Sequence, residues 1–293
     1  MIQLKPFIKW AGGKGQLLPQ IRRMYPQGLG NTITKYAEPF VGGGAVLFDI
    51  ISSYRLDQIY IGDINRNLIN TYNTIKNNHQ ELIEILSYIE AQYVSLDSER
   101  QSEFYYHKRN EYNNMINQYD TYKAALFIFL NKTCFNGLYR VNKNNIFNVP
   151  AGKYKNPKIY TLENISAIAK ALAHIDIIAG SYTNVYNFAD EKTFIYFDPP
   201  YRPLTSTSSF TSYAENSFDD KEQILLAEFI EKIEKKGAYI LLSNSDPHNI
   251  DSNDMFFDNL YHTKKINRIY APRMINSKGN NRGHISELLI SNY

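Results

Sequence analysis

Apolar positions along the chain switch between strand-like runs and helical spacing, and the order of the switches predicts the architecture. Residues 34–44 read Thr-Lys-Tyr-Ala-Glu-Pro-Phe-Val-Gly-Gly-Gly, followed by Val46, Leu47, Ile50 and Ile51 at helical spacing. That is the pattern of strand, glycine turn and amphipathic helix. A second extended run, 58–62, ends at Asp63. A third, Thr193 to Phe197, is apolar or β-branched throughout and stops at Asp198-Pro199-Pro200-Tyr201. Two prolines force a strand out of its sheet, because proline has no N–H for a neighbouring strand. Further strands are predicted at 175–179 and 238–242, helices at 162–174 and 217–236, and a terminal hairpin from 261–270 and 285–291. Ser217, three residues before Asp220, is the expected cap of the later helix. Strands alternating with helices predict an α/β fold with a largely parallel sheet.

The middle of the chain breaks this alternation. Residues 65–78 (Leu68, Ile69, Tyr72, Ile75), 80–93 (Leu82, Ile83, Ile85, Leu86, Ile89) and 121–132 (Ala124, Ala125, Phe127, Ile128) all have helical periodicity. A polar, Tyr-rich segment separates the last two. The block reads as a helical insertion, ending in a long loop at 131–158 rich in Asn, Gly, Lys and Tyr. A second polar stretch, 202–216, is long enough to be a lid or a substrate-contacting loop.

Composition changes this picture in one respect. A hydrophobic content of 43% and a charged content of 21% are ordinary for a globular protein, but 24 Tyr and 16 Phe against a single Trp are not; most of these tyrosines read as packing residues with a wet edge, and some as stacking surfaces for bases. The net charge of +3 is too small to argue for a nucleic-acid partner. Its distribution is more telling: Lys132, Arg140, Lys143, Lys153, Lys155 and Lys158 occupy a stretch without Asp or Glu, interleaved with Phe135, Phe147 and Tyr154. Rings among cations favour a surface that meets nucleic acid. A second basic stretch runs from Lys264 to Arg282. The lone Cys134 excludes an intrachain disulfide and suits a reducing compartment. No apolar run approaches the roughly 20 residues of a membrane helix, and a signal peptide would not carry Lys5 and Lys9, so a cytoplasmic location is expected.

Three places carry candidate chemistry. At Gly12-Gly13-Lys14-Gly15 the spacing and the Ser or Thr of a phosphate-binding P-loop are missing, which argues against an NTPase. The glycines at 42–44 open onto a helix N-terminus, and Asp63 follows about twenty residues later, where an acid meets a ribose in dinucleotide folds. An adenosine-type ligand fits. Asp198 supplies an acceptor-only carboxylate at a strand end, and Pro199 an acceptor without a donor. Such acceptors suit an exocyclic amine, whose protons must be held while its lone pair leaves ring conjugation. Tyr201 offers a ring for a base flipped out of a duplex. Methylation of cytosine carbon 5 would need a thiolate, and Cys134, followed by Phe135, reads instead as a small buried residue.

Taken together, residues 7–14 (Phe-Ile-Lys-Trp-Ala-Gly-Gly-Lys), 38–44 (Glu-Pro-Phe-Val-Gly-Gly-Gly), 62–65 (Gly-Asp-Ile-Asn), 136–140 (Asn-Gly-Leu-Tyr-Arg), 147–150 (Phe-Asn-Val-Pro) and 198–201 (Asp-Pro-Pro-Tyr) resemble the Dam/DpnII-type DNA adenine-N6 methyltransferases, the D12 class of α-group amino methyltransferases. The motifs stand in that family's order across nearly the whole chain. The resemblance implies a Rossmann-like class I methyltransferase sheet with an inserted, mainly helical target-recognition domain. Residues 1–70 and 159–293 would form the catalytic domain and 71–158 the insertion. It implies S-adenosylmethionine as donor, S-adenosylhomocysteine as product, no metal, and the adenine of GATC in double-stranded DNA as target. A restriction endonuclease acting on the same site is a candidate partner.

By the same resemblance Asp198, Pro199, Pro200 and Tyr201 are catalytic, and Trp10, Lys14, Phe40, Gly42, Asp63 and Asp198 bind the cofactor. Lys9, Asn136, Leu138, Arg140, Pro150 and Tyr154 meet DNA, with Arg140 reading a guanine. Phe135 and Lys153 depart from the bacterial Dam branch, which carries Tyr and Arg there. Two other readings remain open on the residues alone: an amino-group methyltransferase acting on RNA or a protein amide, and a non-catalytic nucleic-acid-binding module.

Overall fold

A computed structural model describes residues 3–202, 218–271 and 285–293. Most of the segment expected as a lid, the cap expected at Ser217 and the basic loop 273–283 lie outside the described residues. The chain divides into two compact units: Met1–Gly13, Gly42–Ser53 and Gly62–Gly180 in the first, Lys14–Val41, Tyr54–Ile61 and Ser181–Tyr293 in the second.

Among the described residues seven strands form one sheet: β1 Lys35–Glu38, β2 Gln58–Asp63, β3 Ile175–Ala179, β4 Thr193–Phe197, β5 Tyr239–Ser245, β6 Lys265–Ala271 and β7 Ile285–Ser291, in the order β3-β2-β1-β4-β5-β7-β6. β2, β1, β4 and β5 are parallel, with Tyr36 opposite Ile59 and Phe194, and Ile195 opposite Ile240. β7 runs antiparallel to both β5 and β6. This is the Rossmann-like methyltransferase sheet that the resemblance implies, with the terminal hairpin as its antiparallel edge. Chain order reverses between β1 and β4, and the carboxyl ends of strands at such a reversal are where open α/β sheets take ligands. Glu38 ends β1 and Asp198 follows β4.

Eight α-helices are described: α1 Leu18–Arg22, α2 Ala45–Ser53, α3 Arg66–Val94, α4 Ser98–Asn114, α5 Thr121–Thr133, α6 Leu162–Leu172, α7 Asp220–Glu234 and α8 Phe256–Leu260. In the second unit, β4 is buried at all five positions. Ile195 and Phe197 share a core with Ile240 and Leu242 of β5 and with Leu226, Phe229, Ile230 and Ile233 of α7. Each such side chain contributes about 1.5–3 kcal/mol by leaving water. The cap of α7 is Asp219, whose carboxylate accepts from the Glu222 N–H, two residues later than expected.

The first unit is largely helical. α5 is apolar nearly all round, and its Ala124 to Leu130 are all buried, as a helix enclosed by others must be. The two helices expected between 65 and 93 are both present: they run end to end as α3 and meet at a kink where Asn78 leaves helical geometry at φ −133° and ψ 32°. The kink falls at the boundary that the two apolar stripes mark. The polar segment before α5 holds α4, which periodicity missed because only Tyr105 and Tyr112 on it are buried.

Candidate active site and nucleic-acid interface

In the second unit the prolines end β4 and leave Asp198 at its tip. Asp198 Oδ1 accepts a hydrogen bond from Ser243 Oγ of β5 at 2.8 Å, and Oδ2 pairs with Lys14 Nζ at 2.7 Å. Lys14 is buried, and its ammonium also lies 4.7 Å from the centroid of the Tyr201 ring. The Tyr201 hydroxyl donates to Glu287 Oε2 of β7 at 2.6 Å. Burial above all, then the charges of Asp198 and Glu287, holds this phenol well above its ordinary range, so it remains a donor. Among the described residues two groups thus engage Asp198, whereas an ionised carboxylate has about four lone-pair sites. An incoming amine can still be accepted.

The backbone leaving Asp198 is pinned by side chains. Gln223 Nε2 of α7, fully buried, donates to the Pro200 carbonyl at 3.1 Å, and its Oε1 accepts from Asn244 Nδ2 at 3.0 Å. Asn244 Oδ1 accepts from the Arg202 and Ser245 N–H groups at 3.2 and 2.9 Å. The Arg202 guanidinium reaches Asp220 and Asp254, each at 2.6 Å. Phe40 stacks on Tyr182 with centroids 5.4 Å apart and meets Phe218 edge-on at 5.8 Å.

Sequence reading did not single out Gln223, Glu287, Tyr182 or Phe218. Ser243 and Asn244 carried a signal, since they stand near the carboxyl end of the strand beside β4. The other four are distant in sequence and follow no motif.

The first unit gathers Trp10, Gly42 and Asp63. Asp63 ends β2; its Oδ1 accepts from the Asn65 N–H at 2.9 Å and its Oδ2 from the Gly42 N–H at 3.1 Å. Burial pushes its pKa up to about 6, against the pull of backbone N–H groups that favour the charged form. Gly42 has φ +47°, and a Cβ there would lie 2.8 Å from the Trp10 ring. Conformation and space both require glycine. Trp10 stacks on Tyr139 with centroids 5.6 Å apart and planes 20° from parallel.

The residues expected to meet DNA, Lys9, Asn136, Leu138, Arg140, Pro150 and Tyr154, also lie in the first unit. Asn131, near the end of α5, organises several of them. Its buried side chain accepts from the Lys9 N–H and donates to the Lys9 carbonyl, both at 2.8 Å, and donates to the Gly137 carbonyl at 3.1 Å. The Lys9 ammonium sits 4.4 Å from the Tyr154 ring centroid. Between these anchors Asn136 adopts φ +55°, a left-handed geometry that Asn tolerates. It is exposed together with Phe135, Leu138, Arg140 and Pro150. Arg140 Nε donates to Asn148 Oδ1 at 2.8 Å. Cys134 is buried among these residues, and burial pushes its thiol up to about 11, which keeps it protonated and non-nucleophilic.

Among the described residues there is no group of His, Cys, Asp and Glu that could hold a metal ion, and no helix long and apolar enough to cross a membrane.

Residues 10–275 match the family described as D12 class N6 adenine-specific DNA methyltransferase. The chain is 49% identical to the type II methyltransferase M.MjaIII of Methanocaldococcus jannaschii, over 100% of both chains. It is 36% identical to the type II methyltransferase M1.LlaDCHI of Lactococcus lactis subsp. cremoris, over 100% of this chain and 96% of that one. It is 34% identical to the DNA adenine methylase of Escherichia coli strain K12, over 97% and 94%. The family match spans the glycine turn, Asp63, the loop at 131–158 and the strand-end tetrapeptide alike. The chain therefore belongs to the D12 class N6 adenine-specific DNA methyltransferases, enzymes that methylate the exocyclic amine of adenine in DNA.

Proposed function

We propose that the methyl donor is S-adenosylmethionine, that S-adenosylhomocysteine is the product, and that the target is the adenine of GATC, flipped out of double-stranded DNA. In this reading residues 1–70 and 159–293 form the catalytic domain and 71–158 the target-recognition domain. The single observation that carries it is Asp198, a carboxylate at a parallel strand end held by Lys14 and Ser243 with acceptor capacity to spare.

The chain's residues fit the donor. Asp63 is a half-buried acid whose ionised form hydroxyl donors such as those of a ribose would stabilise, and Gly42 removes the side chain that would crowd Trp10. Trp10, Lys14, Phe40, Gly42, Asp63 and Asp198 would hold it. When bound, S-adenosylmethionine supplies a methyl group activated by a sulfonium.

The protein's part is to make a weak nucleophile adequate. Asp198 and the Pro199 carbonyl accept hydrogen bonds from the two amine N–H groups and draw the lone pair out of conjugation; once the methyl is transferred, the surplus proton of the cationic nitrogen leaves by way of the Asp198 carboxylate. Neither proline can donate a competing N–H. Pro200 continues the turn with its carbonyl held by Gln223. Tyr201 stacks on the adenine through the ring face that the Lys14 ammonium does not cover. Lys9, Asn136, Leu138, Pro150 and Tyr154 meet the surrounding duplex, and Arg140 reads a guanine. A restriction endonuclease cutting the same sequence is the proposed partner, in keeping with the type II names of two relatives.

Expression in a methylation-deficient host, followed by base-resolution mapping of N6-methyladenine, tests the reading. Modification confined to GATC supports it, and modification in another sequence overturns the target assignment.

Two further outcomes are expected. Arg140→Ala relaxes discrimination at one guanine by roughly 1–3 kcal/mol, measured as kcat/KM across duplexes with single base-pair changes. Asp63 accepts from a ribose best when ionised, so affinity for S-adenosylmethionine falls as pH drops through about 6. Below that point the decline approaches about tenfold per pH unit. Calorimetric titration of Asp63→Asn is expected to give weaker binding without that dependence. A wild-type affinity flat from pH 5 to about 8 removes Asp63 from the role.

A further inference from the structure

Helix α4 has little apolar surface, yet one of its stripes has a definite target. Tyr105, Arg109 and Asn113 stand at i, i+4 and i+8 and so share a face. The Tyr105 hydroxyl and Arg109 Nη1 both donate to the Val149 carbonyl, at 2.8 and 3.2 Å. Asn113 takes Phe147 from both sides: its Oδ1 accepts from the Phe147 N–H at 2.9 Å and its Nδ2 donates to the Phe147 carbonyl at 3.0 Å. A side-chain amide bonding in this way stands in for a neighbouring strand's peptide group. Tyr112 adds a ring contact, edge-on to Phe147 with centroids 6.1 Å apart.

The clamped segment is one arm of a short hairpin, and Arg140 is on the other. Phe147 bridges Val141 in antiparallel register, and the Asn148 N–H donates to the Arg140 carbonyl at 3.2 Å. The Asn148 side chain in turn holds Arg140 Nε at 2.8 Å. Asn148 therefore sits between the two residues whose backbones α4 grips, and it is the residue that aims the guanidinium. A one-residue slip in such an arm turns every side chain to the opposite face. The grip on Phe147 and Val149 opposes that slip.

We propose that Asn113, supported by Tyr105 and Arg109, is a specificity-determining positioning residue: α4 sets the register of the 140–149 hairpin and thereby the base discrimination of Arg140. The inference rests on the reading of Arg140 as a base reader. Asn113 touches no base; it acts through Phe147 and Asn148.

The test measures kcat and KM of the full-length enzyme on a duplex carrying the target and on duplexes with each base pair changed in turn, for Asn113→Ala, Arg140→Ala and the double variant. Asn113→Ala is expected to relax discrimination roughly tenfold at the same single position as Arg140→Ala. Cofactor affinity and kcat on the target are expected to stay within about threefold, and the double variant to be no more relaxed than Arg140→Ala alone. Tyr105→Phe, which keeps the ring and loses one hydrogen bond, is expected to give a smaller loss at that position, so the inference remains testable where Asn113→Ala folds poorly.

Relaxation by Arg140→Ala with full discrimination in both Asn113→Ala and Tyr105→Phe overturns the positioning role and leaves the base-reading role standing. Equal relaxation at every position, or additive losses in the double variant, also overturns it, since Asn113 would then act on general stability. If Arg140→Ala leaves discrimination unchanged, the base-reading role fails first and the positioning role falls with it.

Discussion

Asp198→Ala is expected to lower kcat by about 10³-fold or more while leaving duplex DNA affinity within a few-fold. The size follows from what the side chain does in the proposed mechanism. The adenine amine is a poor nucleophile until its protons are accepted, and a methyl side chain accepts nothing. DNA affinity should survive because the residues expected to meet the duplex, from Lys9 to Tyr154, lie on other elements. Single-turnover methylation measured beside fluorescence-anisotropy binding separates the two effects. Near-wild-type turnover in this variant removes Asp198 from the chemistry. Asp198→Asn, which keeps the shape and one acceptor oxygen but adds a donor toward Lys14, is expected to fall between the two.

Lys14→Met carries the second large effect, on stability as well as activity. The Lys14 and Asp198 side chains are 5% and 20% exposed and lie 2.7 Å apart. Removing one partner of a buried pair leaves the other charge uncompensated, typically at 3–5 kcal/mol; the part-exposure of Asp198 places this case near the lower end, about 3 kcal/mol. Urea denaturation measures it. The variant Lys14→Met/Asp198→Asn is expected to recover a good part of the loss, because the stranded charge is gone. Additive losses in that cycle would show that the lysine acts through packing alone. Lys14→Met should also lose activity, because the same ammonium braces Tyr201. The stability cycle and the turnover assay thus report on two contacts of one side chain.

Much of the fold was legible in the sequence because β4, β5 and the glycine turn each carry their signal within a few consecutive residues. The prolines at 199 and 200 mark the end of β4 whatever surrounds it. α4 was not legible, since a polar helix has no periodicity to detect; its amphipathicity lies in hydrogen bonds to Phe147 and Val149, residues 34 and more positions away. The break at Asn78 was legible, because the apolar stripes on either side of it are separate runs of helical spacing.

By itself the sequence determined the order of the strands, the acids Asp63 and Asp198 at two strand ends and the family to which the chain belongs, all of which depend on local chemistry and spacing. Only the tertiary structure decided which groups hold those acids. Ser243, Glu287 and Gln223 reach the Asp198 tetrapeptide from residues 23 to 86 positions away. Asn131 binds Lys9 across 122. Partners this distant are chosen by the parallel register of β4 on β5 and by the packing of α5, and no spacing along the chain records either.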